Sequence, residues 1–510
     1  MRAPASPAGT APGPAWKRAL TRLAGRHPRV FAIPGPERLE LAGLAVHRAG
    51  IDLASTPRHA RILLVDPRLP PPLRKAAAIA YAQMPRPRRL VFLGNGELPP
   101  LPEPDLRIVP GDEQWAQALQ ALFSGEAEPE PFAPDFLREA LDDDEEGHEH
   151  HHHDHGDDEE DGCDHDDMGF MSMVSMTKDM PRSRDGLAMN RSTAHFGPFF
   201  PGLPGGVVVK ATLDGDSVCS AEWAGGHFVT ELHDHFEGPA DPLPDFLAAL
   251  HPGEPETWRA LGILALAHSV DSEPGDAWWR QAIPQLERER AASHLAWLSV
   301  FAVTVGSRRL ERHATRSLAE LREGTLTVER ARKRFGKLEP YLARRLRGIG
   351  PIPREWLQNH HGPLARAAGM EADLRAHLSG YRALGFEPCC LGGNDALARL
   401  RLRLAEIIQS AGLCTECVTG PLPSVPAEHE GSGEAAIETA RGPARLKIEW
   451  RDGRMTTCEI TAPSAAATGL IPDLTEGLEL SDALVAIASL DLSPWETPLE
   501  EPGEKEGGDS

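Results

Sequence analysis

The sequence predicts two folded modules of different class: an α/β module built on a parallel sheet, then a mainly helical module with small β additions. Three observations carry this. Residues 28–124 alternate short apolar runs with helical patterns at strand–helix–strand spacing. Residues 256–411 hold long amphipathic runs of helical period. Between the modules, residues 125–190 run from Pro/Glu-rich through acidic and His-rich to Met-rich, a composition that cannot bury a core.

In the first module VFAIPG (30–35) is read as a strand ending in a Pro/Gly turn. ARILLVD (60–66), RRLVFLGNG (88–96) and DLRIVPG (105–111) follow as further strands. PPPLRKAAAIAYAQM (70–84), opened by prolines, and EQWAQALQALF (113–123) are the helices. Ligands of such sheets sit at the carboxyl ends of the strands, here Pro34-Gly35-Pro36, Gly94-Asn95-Gly96 and Pro110-Gly111-Asp112. In the second module GGVVVKATLDGDSVCSAEW predicts a hairpin turning at Asp214-Gly215. Helical runs follow at 283–305, 314–347, 364–379 and 394–411. Gly442 to Ala462 returns to strands around Asp452-Gly453, and 473–490 is a last helix. The expected domains are therefore 28–124, a disordered linker 125–190, a module 191–495 and a disordered acidic tail 496–510.

The chain has 510 residues, 41% of them hydrophobic, enough for two or three sizeable cores. Its longest apolar stretch, Leu295 to Val305, is too short to cross a bilayer, and MRAPASPAGTAPGPAWKR lacks the apolar run of a secretory signal. Seven cysteines without a regular framework predict a reducing compartment. The net charge of −23 is uneven: Leu141 to Asp167 holds fifteen Asp or Glu and no Lys or Arg. The one basic stretch, Arg330 to Arg347, has the spacing of a helix face without interleaved aromatics, so no nucleic-acid partner is expected.

RHPRVFAIPGPERLELAGLAVHRAGIDLASTPRHARILLVDPRLPPPLRKAAAIAYAQMPRPRRLVFLGNGE, with DLRIVPGDEQWAQALQALF, resembles the small, iron–sulfur subunit of respiratory complex I and the membrane-bound [NiFe]-hydrogenases. The family frame is matched by Ser55-Thr56-Pro57-Arg58, Leu73-Arg74-Lys75 and Gln83-Met84-Pro85-Arg86-Pro87-Arg88. GPFFPGLPGGVVVKATLDGDSV, LERERAASHLAWLSVFAVTVGS, GGNDALARLRLRLAEIIQS, ARLKIEWRDGRMTTCEITAPS and LSDALVAIASLDLSPWE resemble the partner large subunit, which shapes the quinone site in complex I and holds nickel in hydrogenases. The resemblance implies a fusion of the two subunits: a flavodoxin-like parallel-sheet module followed by a hydrogenase large-subunit-like helical module.

The departures from that family concern its metal ligands. Its large subunits hold nickel through R-x-C-G-x-C…H and D-P-C-x-x-C, using thiolates because the metals are soft. Here the first frame reads Arg259-Ala260-Leu261-Gly262-Ile263-Leu264, with His268 beyond it, and the second reads Asp491-Leu492-Ser493-Pro494-Trp495-Glu496. Leu261, Leu264, Ser493 and Glu496 stand where thiolates belong. In the small-subunit part Asp112 follows Val109-Pro110-Gly111 where the family has a cysteine turn, and residues 1–125 contain no cysteine. No iron–sulfur cluster or nickel–iron centre is expected, and no catalytic residue is assigned. Because the frames are kept, Leu261, Leu264, His268, Ser493 and Glu496 are expected to converge, with Arg259, His268 and Asp491 as candidate pocket residues. The loop Phe199–Gly206 lacks the histidines of the family's quinone site, so a quinone cavity would lack its usual proton donors.

Two further groups carry metal-ligand chemistry. His148, His150, His151, His152, His153, His155, His165 and Cys163 offer donors for zinc, nickel or copper, or form a solvated tether. Cys414 and Cys417 have zinc-like spacing, and free thiols are the alternative. The leading expectation is a peripheral, redox-silent subunit of a complex I-like, NADH:quinone oxidoreductase-type membrane complex. It would sit on the cytoplasmic face of the cell membrane, held by membrane-arm or antiporter-like subunits, with other soluble redox subunits as further partners. The alternatives are a working quinone-binding oxidoreductase subunit and a metal-handling protein acting through the His/Met-rich linker.

Overall fold

A computed structural model describes residues 29–109, 114–122, 191–225, 242–414, 420–424 and 430–497, apart from residues 45, 47, 48 and 453. Contacts divide the chain into two compact units, residues 1–140 and 141–510. The acidic His/Met-rich linker, Asp112, Cys163, Cys417 and the tail beyond 497 lie outside the described residues.

The first unit runs β1 (Arg29–Ile33), α1 (Pro36–Leu41), β2 (Asp52–Leu53), β3 (Ile62–Val65), α2 (Pro71–Gln83), β4 (Arg89–Leu93), β5 (Leu106–Ile108) and α3 (Trp115–Ala121). The strands pair in parallel in the order β2-β1-β3-β4-β5, the flavodoxin-like order. β3 and the last four residues of β1 and of β4 are buried, as expected of runs covered by helices on both faces. The sequence reading lacked β2 and α1. β2 is two exposed residues and α1 only six, too short for periodicity to show. At the carboxyl edge of the sheet, Asp66 follows β3 and accepts from Arg38 Nε and Arg68 Nη2, both at 2.9 Å. Burial opposes its charge, but the two guanidiniums outweigh it and hold the carboxyl below the usual range.

The second unit opens with an antiparallel sheet, β6 (Ser192–Phe196), β7 (Val208–Asp214) and β8 (Ser217–Gly225). Helices follow: α4 (Leu243–Leu250), α5 (Pro255–Ser269), α6 (Asp276–Thr304), α7 (Arg308–Arg322), α8 (Val328–Gly336), α9 (Glu339–Leu346), α10 (Gly362–Ala367), α11 (Ser379–Ala383) and α12 (Ala396–Leu413). A second antiparallel sheet, β9 (Gly431–Glu438), β10 (Pro443–Arg451) and β11 (Arg454–Thr461), precedes α13 (Pro463–Thr468), α14 (Ile471–Thr475) and α15 (Leu480–Ala488). The run read over 314–347 is three helices. Gly324 at φ 67° ends the first, and Thr327 caps the second by accepting from Arg330 N. Likewise Gly369 (φ 83°) breaks the run 364–379, and Gly477 (φ 74°) divides 473–490 into α14 and α15. Among the described residues no helix is long and apolar enough to cross a membrane.

The main core joins α4, α5 and the first half of α6 to the second sheet: Leu261, Leu264, Trp258, Ile283, Leu446 and Trp450 belong to it. α5 lies so close to α4 that a Cβ on Gly262 would stand 2.9 Å from Pro244 Cα. Truncating Leu264, 4% exposed, to Ala should cost about 2–5 kcal/mol, read as a shift of the urea midpoint. A loss under about 0.5 kcal/mol would contradict this packing.

Candidate functional site

The turn after α15 places Asp491 and Glu496 around one guanidinium. Arg441, in the tight turn between β9 and β10, reaches Glu254 Oε1 at 2.8 Å, Asp491 Oδ1 at 3.2 Å and Glu496 Oε1 at 3.6 Å. Its Nε also donates to the Asp491 carbonyl at 3.1 Å. Glu496 accepts from the Ser464 hydroxyl at 2.5 Å, and that hydroxyl accepts from Ser493 N at 3.1 Å. Glu254 accepts from Ser293 Oγ and from Ala440 N, both at 3.0 Å. Asp491 also faces Arg403 Nε at 3.4 Å and itself sits at φ 61°, a conformation aspartate tolerates better than most residues. Three carboxylates thus share two guanidiniums in a closed space. Burial lifts Glu496 to about 7, with Arg441 pulling the other way and Glu254 adding to the rise.

Three residues before Glu254, His251 stacks face to face on Trp258, ring centroids 3.4 Å apart and planes 5° from parallel. Burial, with the Arg441 charge adding to it, holds this imidazole well below its ordinary pKa, so it is neutral at physiological pH. The residues meeting at Arg441 are therefore Glu254, with His251 three residues before it, Asp491 and Glu496, with Ser493 joined to Glu496 through Ser464. Leu261 and Leu264 sit instead in the main core. His268, at the far end of α5, has Nδ1 2.6 Å from the Glu434 carbonyl. Arg259 pairs with Asp245 at 2.9 Å and Glu256 at 2.5 Å. Of the five positions expected to converge, Glu496 reaches Arg441 and Ser493 joins it through Ser464, while Leu261, Leu264 and His268 are engaged elsewhere.

Beside this cluster lies a second one, fully buried, which the sequence reading missed except for His294. Arg366 bridges Glu406 (2.8 Å), Glu438 (2.7 Å) and Asp373 (3.3 Å). Arg375 pairs with Asp373 (2.8 Å) and Glu287 (3.1 Å), and Glu287 also accepts from Tyr381 and Ser410. His294 Nε2 lies 2.9 Å from Glu406 Oε2. Burial opposes charge on Glu406, but Arg366 and His294 more than offset it and hold the carboxyl well below the usual range. Burial raises Glu438, with Asp373 adding to the rise and Arg366 opposing it.

A pocket of about 110 Å³ opens beside Arg441, bounded by His360, His361, Arg445, Ser464 and Asp491. That is smaller than the roughly 300 Å³ at which drug-sized ligand pockets begin. Of the candidate pocket residues only Asp491 lines it. Among the described residues no group of three or more His, Cys, Asp or Glu is placed to hold a metal ion. The five described cysteines form no disulfide; Cys389 contacts Gln409 Oε1, Cys390 the Arg366 carbonyl and Cys414 the Pro284 carbonyl, each at 3.5 Å.

Residues 314–431 match the family model described as the respiratory-chain NADH dehydrogenase 49 Kd subunit. The chain is 24% identical over 360 residues to an NADH-quinone oxidoreductase subunit from Desulfotalea psychrophila, covering 59% of this chain and 95% of that one. It is 23% identical over 389 residues to an NAD(P)H-quinone oxidoreductase subunit from a Synechococcus species, covering 59% and 97%. Among solved structures, a chain of the membrane-bound sulfane sulfur reductase, an archaeal respiratory membrane complex, shares the fold. It has a TM-score of 0.50, 20% identity, and coverage of 60% of this chain and 98% of that one. In sequence, this chain is similar to the large, 49 Kd-type subunit of complex I.

Proposed function

We propose that the chain is a peripheral subunit of a complex I-like membrane complex and that it works there without a redox centre of its own, as a structural or coupling element. The observation that carries this reading is the Arg441 cluster. The large-subunit family of hydrogenases brings two cysteine pairs, each spaced three apart, to one metal. Here the pairs that meet are His251 with Glu254 and Ser493 with Glu496, and we take them, not Leu261 and Leu264, as the counterparts of that site. These residues do not fit nickel: they supply no thiolate, and a guanidinium fills the space between the carboxylates. The cysteine-free first unit, read as small-subunit-like, lacks cluster ligands in the same way. Its sheet edge is closed by the Arg38–Asp66–Arg68 ion pairs.

The relatives named above are subunits of quinone oxidoreductases, and this supports membrane-arm partners for the present chain. The test is purification of the tagged, full-length chain from detergent-solubilised membranes of its own host. Polytopic subunits should co-purify, while metal analysis finds no stoichiometric nickel or iron and no acid-labile sulfide in the isolated chain. Stoichiometric metal would overturn redox silence. A chain recovered only alone would overturn the assembly.

A further inference from the structure

We propose that the acidic segment Leu141–Asp167 of this chain docks on the basic outer surface of α8 and α9. Between Arg330 and Arg347 stand eight Arg or Lys and a single Asp or Glu, in a chain whose net charge is −23. The single acid, Glu339, is already paired with Arg401. The apolar sides of the two helices are taken up by packing, with Ala331, Phe335, Leu342 and Leu346 buried. Of the eight basic residues, Arg330 and Arg334 face Glu320 and Arg345 donates to the Val305 carbonyl. Arg332, Lys333, Lys337, Arg344 and Arg347 are exposed, and among the described residues none of them makes an ion pair. Five exposed cations without ion pairs on two successive helices favour an anionic occupant.

The chain itself carries the complement. Leu141–Asp167 places fifteen Asp or Glu in 27 residues with no Lys or Arg. Arg191, where the described chain resumes, lies 24 positions beyond Asp167. Such a span extends to at most about 80 Å and has a root-mean-square length of about 27 Å. Tethering raises the local concentration of the segment to the order of millimolar, so a free polyanion or an anionic bilayer must compete with it. The contact is electrostatic between exposed groups and is therefore released by salt. Docked, the segment covers the basic surface until a stronger polyanion displaces it.

Zero-length carbodiimide cross-linking of the dilute full-length chain, read by mass spectrometry, tests this directly. At low salt Lys333 and Lys337 should link to carboxylates of 141–167, while Lys210 and Lys447 remain nearly unlinked to that segment. The links should fall about tenfold in 0.5 M NaCl, where the screening length shrinks to a few ångströms, and should not depend on protein concentration. Links spread evenly over all lysines, or absent, would overturn the proposal. A second measurement uses the full chain with the fifteen acids of the segment changed to Asn or Gln. This variant should gain salt-sensitive retention on heparin and lose it when Arg332→Ala, Lys333→Ala, Lys337→Ala and Arg344→Ala are added. Equal retention with and without the segment's charges would mean that the segment does not cover the surface. Low-salt binding of the unaltered chain to phosphatidylcholine/phosphatidylglycerol vesicles, abolished by the same four substitutions, would assign the surface to a membrane instead.

Discussion

Replacing Arg366 by Met should destabilise the protein by about 3–5 kcal/mol, a large effect for a single substitution. Its side chain is wholly buried, and its guanidinium faces Glu406, Glu438 and Asp373 within 3.3 Å. Methionine matches the stem but leaves three carboxylates short of their shared cation, which Arg375 beside Asp373 and His294 beside Glu406 offset only in part. Arg366→Lys should recover only part of the loss, because a single ammonium cannot serve Glu406 through two nitrogens and Glu438 through a third. Urea unfolding followed by circular dichroism reads the effect. A loss below about 1 kcal/mol for Arg366→Met would show that the network is dispensable to the fold.

Glu496→Gln should stabilise the protein at alkaline pH and leave it nearly unchanged in mild acid. Burial, opposed by Arg441 and reinforced by Glu254, lifts the Glu496 carboxyl from an ordinary 4.5 to about 7. Between those values the folded chain holds a proton that the unfolded chain has released. The stabilisation is therefore complete below pH 4.5 and is lost as pH rises through 7. Glutamine carries the neutral form at every pH, keeps the bulk of the side chain, and ends this loss. The variant should match the parent near pH 4.5 and exceed it at pH 8 by about 2–3 kcal/mol. Unfolding midpoints measured at the two pH values decide it: a constant difference would show that Glu496 does not carry the proton.

The first unit was largely legible in the sequence because each of its long strands is an uninterrupted apolar run closed by Pro or Gly. Those runs differ from their surroundings without help from tertiary contacts. The helical unit was legible as helical but not in its breaks, three of which depend on single glycines at positive φ, Gly324, Gly369 and Gly477. The site was legible only at its carboxyl-terminal end. Ser493 and Glu496 share a turn and can be read together. Their partners Glu254 and Arg441 lie 187 residues apart in the chain, and no local pattern announces such a pairing. The glycine that anchored the frame at 259–268 has another reason to be a glycine. Gly262 lets α5 approach Pro244 on α4, so its place reflects helix packing. The buried arginines of α12, Arg399 and Arg403, are equally opaque, because their spacing is that of an exposed basic stripe.

The 29 residues of α6 make a rod about 43 Å long. Along it Trp278 and Trp279 enter the apolar core and Glu287 meets Arg375. Ser293 then touches Glu254 and His294 touches Glu406. Trp297 donates to the Ala488 carbonyl, and Thr304 reaches the Gly202 carbonyl at the last turn. Pro284 separates the two tryptophans from the remaining contacts along the helix. From Glu287 to Thr304, beyond Pro284, one helical segment thus joins the contact at Gly202 to both charged clusters. A substitution that shifts this segment is therefore felt at both polar clusters together, not at one alone.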